Sequence, residues 1–167
     1  MAMYRPYIVD TGLVSITATG LTPLLYIAPT STNDVNIIAV ACSVEVSGSA
    51  PTAVSNSDWF FSVNTVTGTK GGGGAVVPSI IGPSSLAANT VFSSAASAAI
   101  TGLTQSTERY GHTVPFSAGS FSDGAWENTG REINLAASST SAVYLSVPSG
   151  PGAGAGWYAR AILWIAE

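Results

Sequence analysis

A regular alternation of bulky and small side chains along Val35–Val46 constrains the fold more than any other feature of the chain. Because successive side chains of an extended strand point to opposite faces, this pattern is typical of a β-strand with one face in a core. We predict that the core face carries Ile38, Val40, Cys42, Val44 and Val46. The pattern is compatible with either solvent or a neighbouring subunit on the other face, which carries Ile37, Ala39, Ala41, Ser43 and Glu45.

Shorter runs of β-forming residues recur between Gly, Pro, Ser and Asn, and no convincing amphipathic helix interrupts them. Such spacing is typical of an all-β domain in which two antiparallel sheets enclose one core. We predict a jelly-roll-like β-sandwich of about eight to ten strands, with residues 13–167 as a single domain and residues 1–12 as an extended N-terminal arm. The shorter runs are residues 13–19, 24–27, 58–66, 76–81, 113–116, 131–136 and 142–147.

The C-terminal run, residues 156–167, is apolar on both of its faces. Antiparallel sheets commonly expose one face to water, so a strand that is apolar on both sides favours a central position together with a contact to another subunit. We therefore predict interface roles for Tyr158, Arg160 and Trp164. Arg160 needs a carboxylate or carbonyl partner, because a cation among apolar neighbours is costly to leave unpaired.

Charged residues are scarce. Asp, Glu, Lys and Arg make up 8% of the chain against 46% hydrophobic residues, and none lies within residues 71–107, whereas soluble domains average about 25% charged residues. Much of the surface must then consist of small residues or be buried against partners, which favours a building block of an assembly. The net charge of −4 argues against nucleic-acid binding, and no apolar stretch approaches the roughly 18 residues of a membrane span.

Two segments lack the pattern of a core strand and are predicted contact surfaces. The arm at residues 1–12 is either a latch on a neighbouring subunit or a frayed terminus. A long loop at residues 117–130 holds Phe121 and Trp126, which either reach a partner or plug the end of the sandwich. The predicted interface residues of the two segments are Tyr4, Arg5, Tyr7 and Trp126.

The chain offers little material for catalysis or metal binding. His112 is the only histidine and no G-x-S-x-G turn accompanies it, so a Ser-His-Asp arrangement is not expected. Cys42 is the only cysteine and lies in an apolar run, which favours a core position. One Cys and one His are too few for a zinc site, and the acids near Asp123 match no calcium-loop spacing. We predict no catalytic, metal or cofactor site.

The order of these segments carries a family resemblance. Two β runs, Leu24-Leu25-Tyr26-Ile27 and Val35-Asn36-Ile37-Ile38-Ala39, precede a middle rich in Ala, Gly, Ser and Thr. The chain closes on an aromatic strand that bears an arginine, Trp157-Tyr158-Ala159-Arg160-Ala161-Ile162-Leu163-Trp164. In this layout the chain resembles the small capsid decoration, or cement, proteins of tailed bacteriophages. The resemblance covers nearly the whole chain and consists of hydrophobic patterns rather than a chemical signature.

The resemblance implies a jelly-roll-like homotrimer on the outer surface of the virion head. Such a protein binds the major capsid protein, clamps adjacent capsomers, and has no active site and no cofactor. The alternative from a different class is a receptor- or glycan-binding knob of a phage fibre, in which the loop that holds Phe121 and Trp126 contacts the ligand.

Overall fold

The computed structural model describes residues 6–16, 20–30, 32, 34–46, 58–81, 88–114, 120–124, 131–147 and 156–167. These residues form thirteen β-strands and contain no helix, hence none long and apolar enough to cross a membrane. The strands are β1 (Pro6–Asp10), β2 (Val14–Ser15), β3 (Gly20–Ala28), β4 (Val35–Val46), β5 (Trp59–Gly71), β6 (Gly74–Val76), β7 (Ser79–Ile80), β8 (Val91–Ser94), β9 (Thr101–Val114), β10 (Ser120–Asp123), β11 (Ile133–Leu135), β12 (Ser141–Val147) and β13 (Trp157–Ala166).

The strands form two antiparallel sheets that pack face to face. Sheet A has the order β10-β4-β13-β1-β7, with β11 beside β4 and β2 beside β13, and sheet B has the order β6-β8-β3-β12-β5-β9. The main strands pair as nested partners along the chain: β1 with β13, β3 with β12, β4 with β10, and β5 with β9. One long hairpin rolled into two sheets gives this nesting, which is the jelly-roll order. The prediction of an all-β, jelly-roll-like sandwich is confirmed.

The core lies between the sheets and consists of the inward side chains of both. In β13 every second residue is at most 5% exposed, whereas those between them are partly or largely exposed. The rings of Trp59 in sheet B and Trp157 in sheet A meet edge to face, with centroids 5.2 Å apart. Such aromatic pairs add to the free energy gained by burial. The core residues of β4 and β13 include Val40, Cys42, Val44, Ala159, Ala161, Leu163 and Ile165.

Strand β4 departs from strict alternation near its start. Ile37 is buried, and Ile38 and Ala39 are both partly exposed. The pairing with β13 shifts at the same place, from Ala39 opposite Trp164 to Ile37 opposite Ile165. This is a β-bulge, in which an extra residue reverses the side of the sheet that later residues face. The prediction that Ile38 lies in the core and Ile37 on the outer side is therefore wrong.

The N-terminal segment is not an arm throughout. Residues 1–5 lie outside the described residues, but Pro6–Asp10 form β1, which pairs with β13 on one side and β7 on the other. Tyr7 and Val9 are 0% exposed, because the alternation of this short strand turns both into the core. The predicted interface role of Tyr7 is corrected accordingly.

Two strands lie where the sequence pattern predicts something else. The expected run at residues 113–116 misses most of β9, an edge strand that pairs with β5 and whose side chains are largely exposed. Strand β10 lies within the predicted loop at residues 117–130 and pairs with β4. Phe121 of β10 packs against the core, as the plugging alternative expects.

Candidate binding surface

The candidate functional surface is the side of sheet A that faces away from the core. Strand β13 runs through its middle, between β4 and β1, so the outward side chains of β13 stand at the centre. The pairing places Ile8 beside Trp164 and Trp164 beside Ala39. A second row across the same strands joins Asp10, Ile162 and Ala41. We call this surface the outer face of sheet A, with the members Ile8, Asp10, Ile38, Ala39, Ala41, Ser43, Tyr158, Arg160, Ile162 and Trp164.

The bulge in β4 creates a pocket at one end of this face. The cavity has a volume of about 330 Å³ and lies between the bulge, the end of β10 and the indole of Trp164. Gly124 permits the close approach of the chain after β10, because a Cβ at this position would overlap with the side chain of Ala39. We call it the bulge pocket, and its lining residues are Ile38, Ala39, Val40, Ser122, Asp123, Gly124 and Trp164.

An aromatic stack lies beside Asp123 at the end of β10, on the core-facing side of sheet A. The hydroxyl of Tyr110 donates a hydrogen bond to Oδ2 of Asp123 over 3.1 Å. Burial, and then the hydrogen bond to Asp123, raise the pKa of Tyr110 well above its ordinary value. His112 stacks on Phe121 with ring centroids 4.0 Å apart and is parallel to Tyr110 at 6.5 Å. The stack and this hydrogen bond thus hold the Asp123 carboxylate between the edges of the two sheets, on the side of β4 that carries Val40.

An ion pair lies at the middle of the outer face. Nε of Arg160 donates to Oδ1 of Asp10 over 2.9 Å, and its Nη2 contacts Oδ2 of the same carboxylate. The hydrogen bond from Arg160 is the main reason why the pKa of Asp10 is lowered, and the backbone N–H of Gly12 also donates to this carboxylate over 2.8 Å. The expected partner of Arg160 is therefore a carboxylate of the same chain. With side chains 47% and 35% exposed, the pair is a surface feature.

The predicted interface residues have different outcomes. Trp164, Tyr158 and Arg160 all lie on the outer face of sheet A, whereas Tyr7 is in the core. The predicted residues outside the described part of the chain are Tyr4, Arg5 and Trp126. Sequence analysis did not select Ile38, Asp123 or Gly124, which line the bulge pocket. The adjacent apolar pair Ile37-Ile38 was a visible signal of a phase change in β4, but nothing local placed Asp123 beside β4.

The residues with catalytic potential occupy structural positions. Cys42 is 2% exposed, and burial raises the pKa of its thiol to about 12, so it is protonated and inaccessible at neutral pH. This confirms its predicted core position. His112 contacts aromatic rings in the stack described above. Within the described ranges, no three His, Cys, Asp or Glu residues are grouped so that they could hold a metal ion.

Comparisons of the chain with models of protein families, with curated proteins and with solved structures found no match.

Proposed function

We propose that the chain is a structural virion protein that decorates and stabilises a phage capsid, and that it binds the capsid through the outer face of sheet A. One observation carries the proposal: the outward residues of the central strand include Ile162 and Trp164, with Ile8 on one neighbouring strand and Ile38 on the other. The outer faces of antiparallel sandwiches are commonly polar, so a contiguous apolar centre is typical of a surface that another protein covers.

The rest of this face suits a broad protein contact. Strand β4 contributes Ala39, Ala41 and Ser43, whose small side chains lose little conformational freedom when they are covered. A face with few charges also loses little hydration, and the cores of stable interfaces are depleted of charged residues. The single ion pair on the face, Arg160 with Asp10, is satisfied within the chain and leaves neither charge unpaired when covered.

The capsid form of the proposal comes from the family resemblance. In this role the chain is a homotrimer on the outer surface of the virion head, its partner is the major capsid protein, and its action is mechanical rather than enzymatic. Each copy contacts adjacent capsomers, so that the contacts of one molecule must break together before the capsomers separate. Multivalent attachment of this kind strengthens binding without any new chemistry.

The test compares two variants with the same introduced residue. Ile162→Lys places a cation in the centre of the outer face, opposite Asp10 on the next strand, so the fold is retained. Val91→Lys changes a residue of sheet B that is 58% exposed and serves as the control. Each protein is added to heads that lack it, and occupancy is measured by quantitative gel analysis, with the solution mass measured by light scattering.

We expect the unmodified protein and Val91→Lys to be trimers that add to heads stoichiometrically. Ile162→Lys should bind heads at least about tenfold more weakly, which corresponds to about 1.4 kcal/mol. Equal occupancy for the two variants would remove the outer face of sheet A as the docking surface. If the protein is a monomer that does not bind heads but binds a glycan array, the fibre-knob alternative is favoured.

A further inference from the structure

Another cavity lies on the outward side of sheet B. Its volume is about 510 Å³, within the range of small-molecule sites. The strand pairing places its walls on one side of the sheet: Tyr144 of β12 lies opposite Pro23 of β3, and Gln105 of β9 lies opposite Val66. Val66 and Tyr144 belong to the same outward cluster. We call this cavity the sheet B pocket, and its lining includes Leu21, Pro23, Leu103, Thr104, Gln105 and Tyr144.

The hydroxyl of Tyr144 is a buried polar group without a partner in the described structure. Tyr144 is 4% exposed, and among the described residues none forms a hydrogen bond with its hydroxyl. Native structures rarely keep such a group unless a water molecule or a ligand satisfies it, because a buried unpaired hydroxyl is destabilising. The Tyr144 hydroxyl therefore favours a hydrogen-bonding molecule from outside the chain.

The hydroxyl is itself covered, so a ligand contacts it only after side chains at the pocket wall move. Leu103 packs on the cluster and is partly exposed, and Leu21 is 50% exposed. Exposed side chains change rotamer within nanoseconds, and such changes are common when a ligand binds. The wall can thus open without movement of the strands.

The remaining polar groups of the pocket are neutral. Gln105 is partly exposed, and no hydrogen bond within the described structure involves its side-chain amide. None of the described lining residues is charged, so a phosphate, carboxylate or ammonium ligand would be desolvated without a counter-ion. A purely apolar ligand would cover the amide of Gln105 and leave the hydroxyl of Tyr144 unsatisfied. The pocket is therefore suited to a neutral ligand that has several hydroxyl groups.

We propose that the sheet B pocket binds a neutral saccharide unit. Its ring hydroxyls form hydrogen bonds with the hydroxyl of Tyr144 and with the amide of Gln105, each of which can donate and accept. The C–H groups of the ring pack against Leu21, Pro23 and Leu103, in the way that apolar walls surround most bound small molecules.

The inference goes beyond the proposed function and does not depend on it. Docking to a capsid uses the outer face of sheet A, whereas the sheet B pocket opens on the opposite side of the sandwich. A protein that is bound through sheet A therefore still presents the pocket to solvent.

A neutral peptide is the other ligand that has uncharged hydrogen-bonding groups. Bound peptides commonly satisfy their main chain along the free edge of a strand. The groups that carry the present inference, Gln105 and Tyr144, are instead side chains on the outward side of the sheet. The saccharide is favoured for this reason, and the peptide is included in the test.

The experiment titrates the methyl glycosides of glucose, galactose, mannose and N-acetylglucosamine into the protein and follows the side-chain amide of Gln105 by NMR. Gln105 is the only glutamine in the chain, so labelling with ¹⁵N-glutamine marks a single side-chain amide. N-acetyl-alanine methylamide is the peptide probe, and an array of neutral glycans extends the set to oligosaccharides. Tyr144→Phe removes only the hydroxyl, and Tyr158→Phe makes the same change on sheet A, outside the pocket.

We expect saturable shifts of the Gln105 amide with at least one glycoside and none with the peptide probe. Tyr144→Phe should weaken binding about tenfold or more, whereas Tyr158→Phe should change it by less than about twofold. The unfolding temperature of Tyr144→Phe should equal or exceed that of the unmodified protein, because the substitution removes an unsatisfied hydroxyl.

Three results would overturn the inference. The first is no response to any glycoside together with no binding on the array, and the second is a response to the peptide probe alone. The third is a Tyr144→Phe protein that binds saccharide normally but unfolds at a lower temperature, which would mean that the hydroxyl bonds only to a buried water molecule.

Head binding is measured separately and distinguishes the two proposals. The unmodified protein and Tyr144→Phe should occupy heads equally. If both occupy heads but neither binds a saccharide, the proposed function stands and the saccharide inference fails. If a saccharide binds and depends on Tyr144 but the protein does not bind heads, the pocket remains a saccharide site and the proposed partner is wrong.

Discussion

The outward apolar residues of the two sheets differ in their exposure to solvent. On sheet B, the outward residues Val66, Ala142 and Tyr144 form a second cluster and are at most 6% exposed. On sheet A, Ile8, Ile38, Ile162 and Trp164 also point away from the core, but all remain partly exposed. One sandwich therefore carries two outward apolar patches, and only the patch on sheet B is covered by described parts of the chain itself.

The cover on sheet B comes from the end of the antiparallel β5–β9 pair where β5 stops and β9 starts. Leu103 of β9 packs on the cluster beside Tyr26, and the ammonium group of Lys70 lies 5.8 Å from the centroid of the Tyr26 ring. The regular pairing of β5 with β9 is interrupted near Gly68 and Gly102, which both have positive φ angles. Bulges and glycines of this kind let a pair of strands curl.

No described segment crosses the outer face of sheet A in the same way. A described segment thus covers the apolar patch on sheet B, whereas none of the described segments covers the patch on sheet A that we assign to a partner. The contrast predicts that substitutions in the covered patch of sheet B destabilise the isolated protein, whereas substitutions in the apolar patch of sheet A weaken assembly.

The largest expected effect comes from placing the same residue in both patches. Val66→Lys puts a charge into a site that is 6% exposed and should lower the free energy of unfolding by about 3 kcal/mol. Ile162→Lys lies on the partly exposed patch and should cost about 1 kcal/mol or less. Urea unfolding followed by tryptophan fluorescence measures both, and equal losses would contradict the contrast between the sheets.

A smaller effect is expected at the close contact between Gly68 and Gly102 in the β5–β9 pair that covers the sheet B patch. Gly68 has a φ of +99° and a Cβ there would overlap with the backbone oxygen of Gly102, whereas Gly20 has a φ of +91° and open space around it. Both Ala substitutions carry backbone strain, but Gly68→Ala adds a clash and should cost about 2 kcal/mol more than Gly20→Ala.

The two glycine variants are compared by thermal unfolding. Near-ultraviolet circular dichroism should also show a loosened environment for Tyr26 and Tyr144 in Gly68→Ala alone. If both variants unfold at the same temperature, the close contact between Gly68 and Gly102 does not stabilise the end of the β5–β9 pair that covers the sheet B patch.

The smallest effect concerns the ion pair on the outer face of sheet A. Arg160→Gln should lower the free energy of unfolding at pH 7 by about 0.5 kcal/mol, because the pair is exposed and screened. Arg160 lowers the pKa of Asp10 below its ordinary value of 3.8, so the contribution is present above that pH and is lost as the pH falls through the lowered pKa.

The pH dependence provides the check. Unfolding of both proteins is measured from pH 7 down to pH 2, and the difference between them should shrink in acid. A difference that stays constant to the lowest pH, or a loss of several kcal/mol at pH 7, would show that Arg160 acts through packing rather than through Asp10.

The parts of the fold that follow from local periodicity could be predicted from the sequence. Strands β4 and β13 alternate over many residues, and the closing strand was correctly placed in the interior of a sheet. Strand β9 could not be predicted, because an edge strand with exposed side chains has no apolar face to reveal it. Strand β1 was missed because its alternating pattern spans only Pro6–Asp10, which is too short to distinguish a strand from an extended arm.

The residues of the outer face of sheet A were predictable only in part. Tyr158, Arg160 and Trp164 follow from the two-sided pattern of the last strand, and the need of Arg160 for a carboxylate is met by Asp10. The bulge pocket depends on a phase change at Ile38 and on the approach of Asp123 from a strand far along the chain. Which distant segments come into contact is decided by the topology, and the periodicity of either segment does not predict it.

Hydroxyl-radical footprinting of the free and head-bound protein tests the central claim most directly. Mass spectrometry of the oxidised peptides reports the reactivity of individual side chains in both states. We expect Trp164 and Ile162 on sheet A to become strongly protected on binding, while Leu21 and Val91, 50% and 58% exposed on sheet B, keep their reactivity. Protection of Leu21 and Val91 with unchanged reactivity of Trp164 would contradict the assignment of the outer face of sheet A as the docking surface.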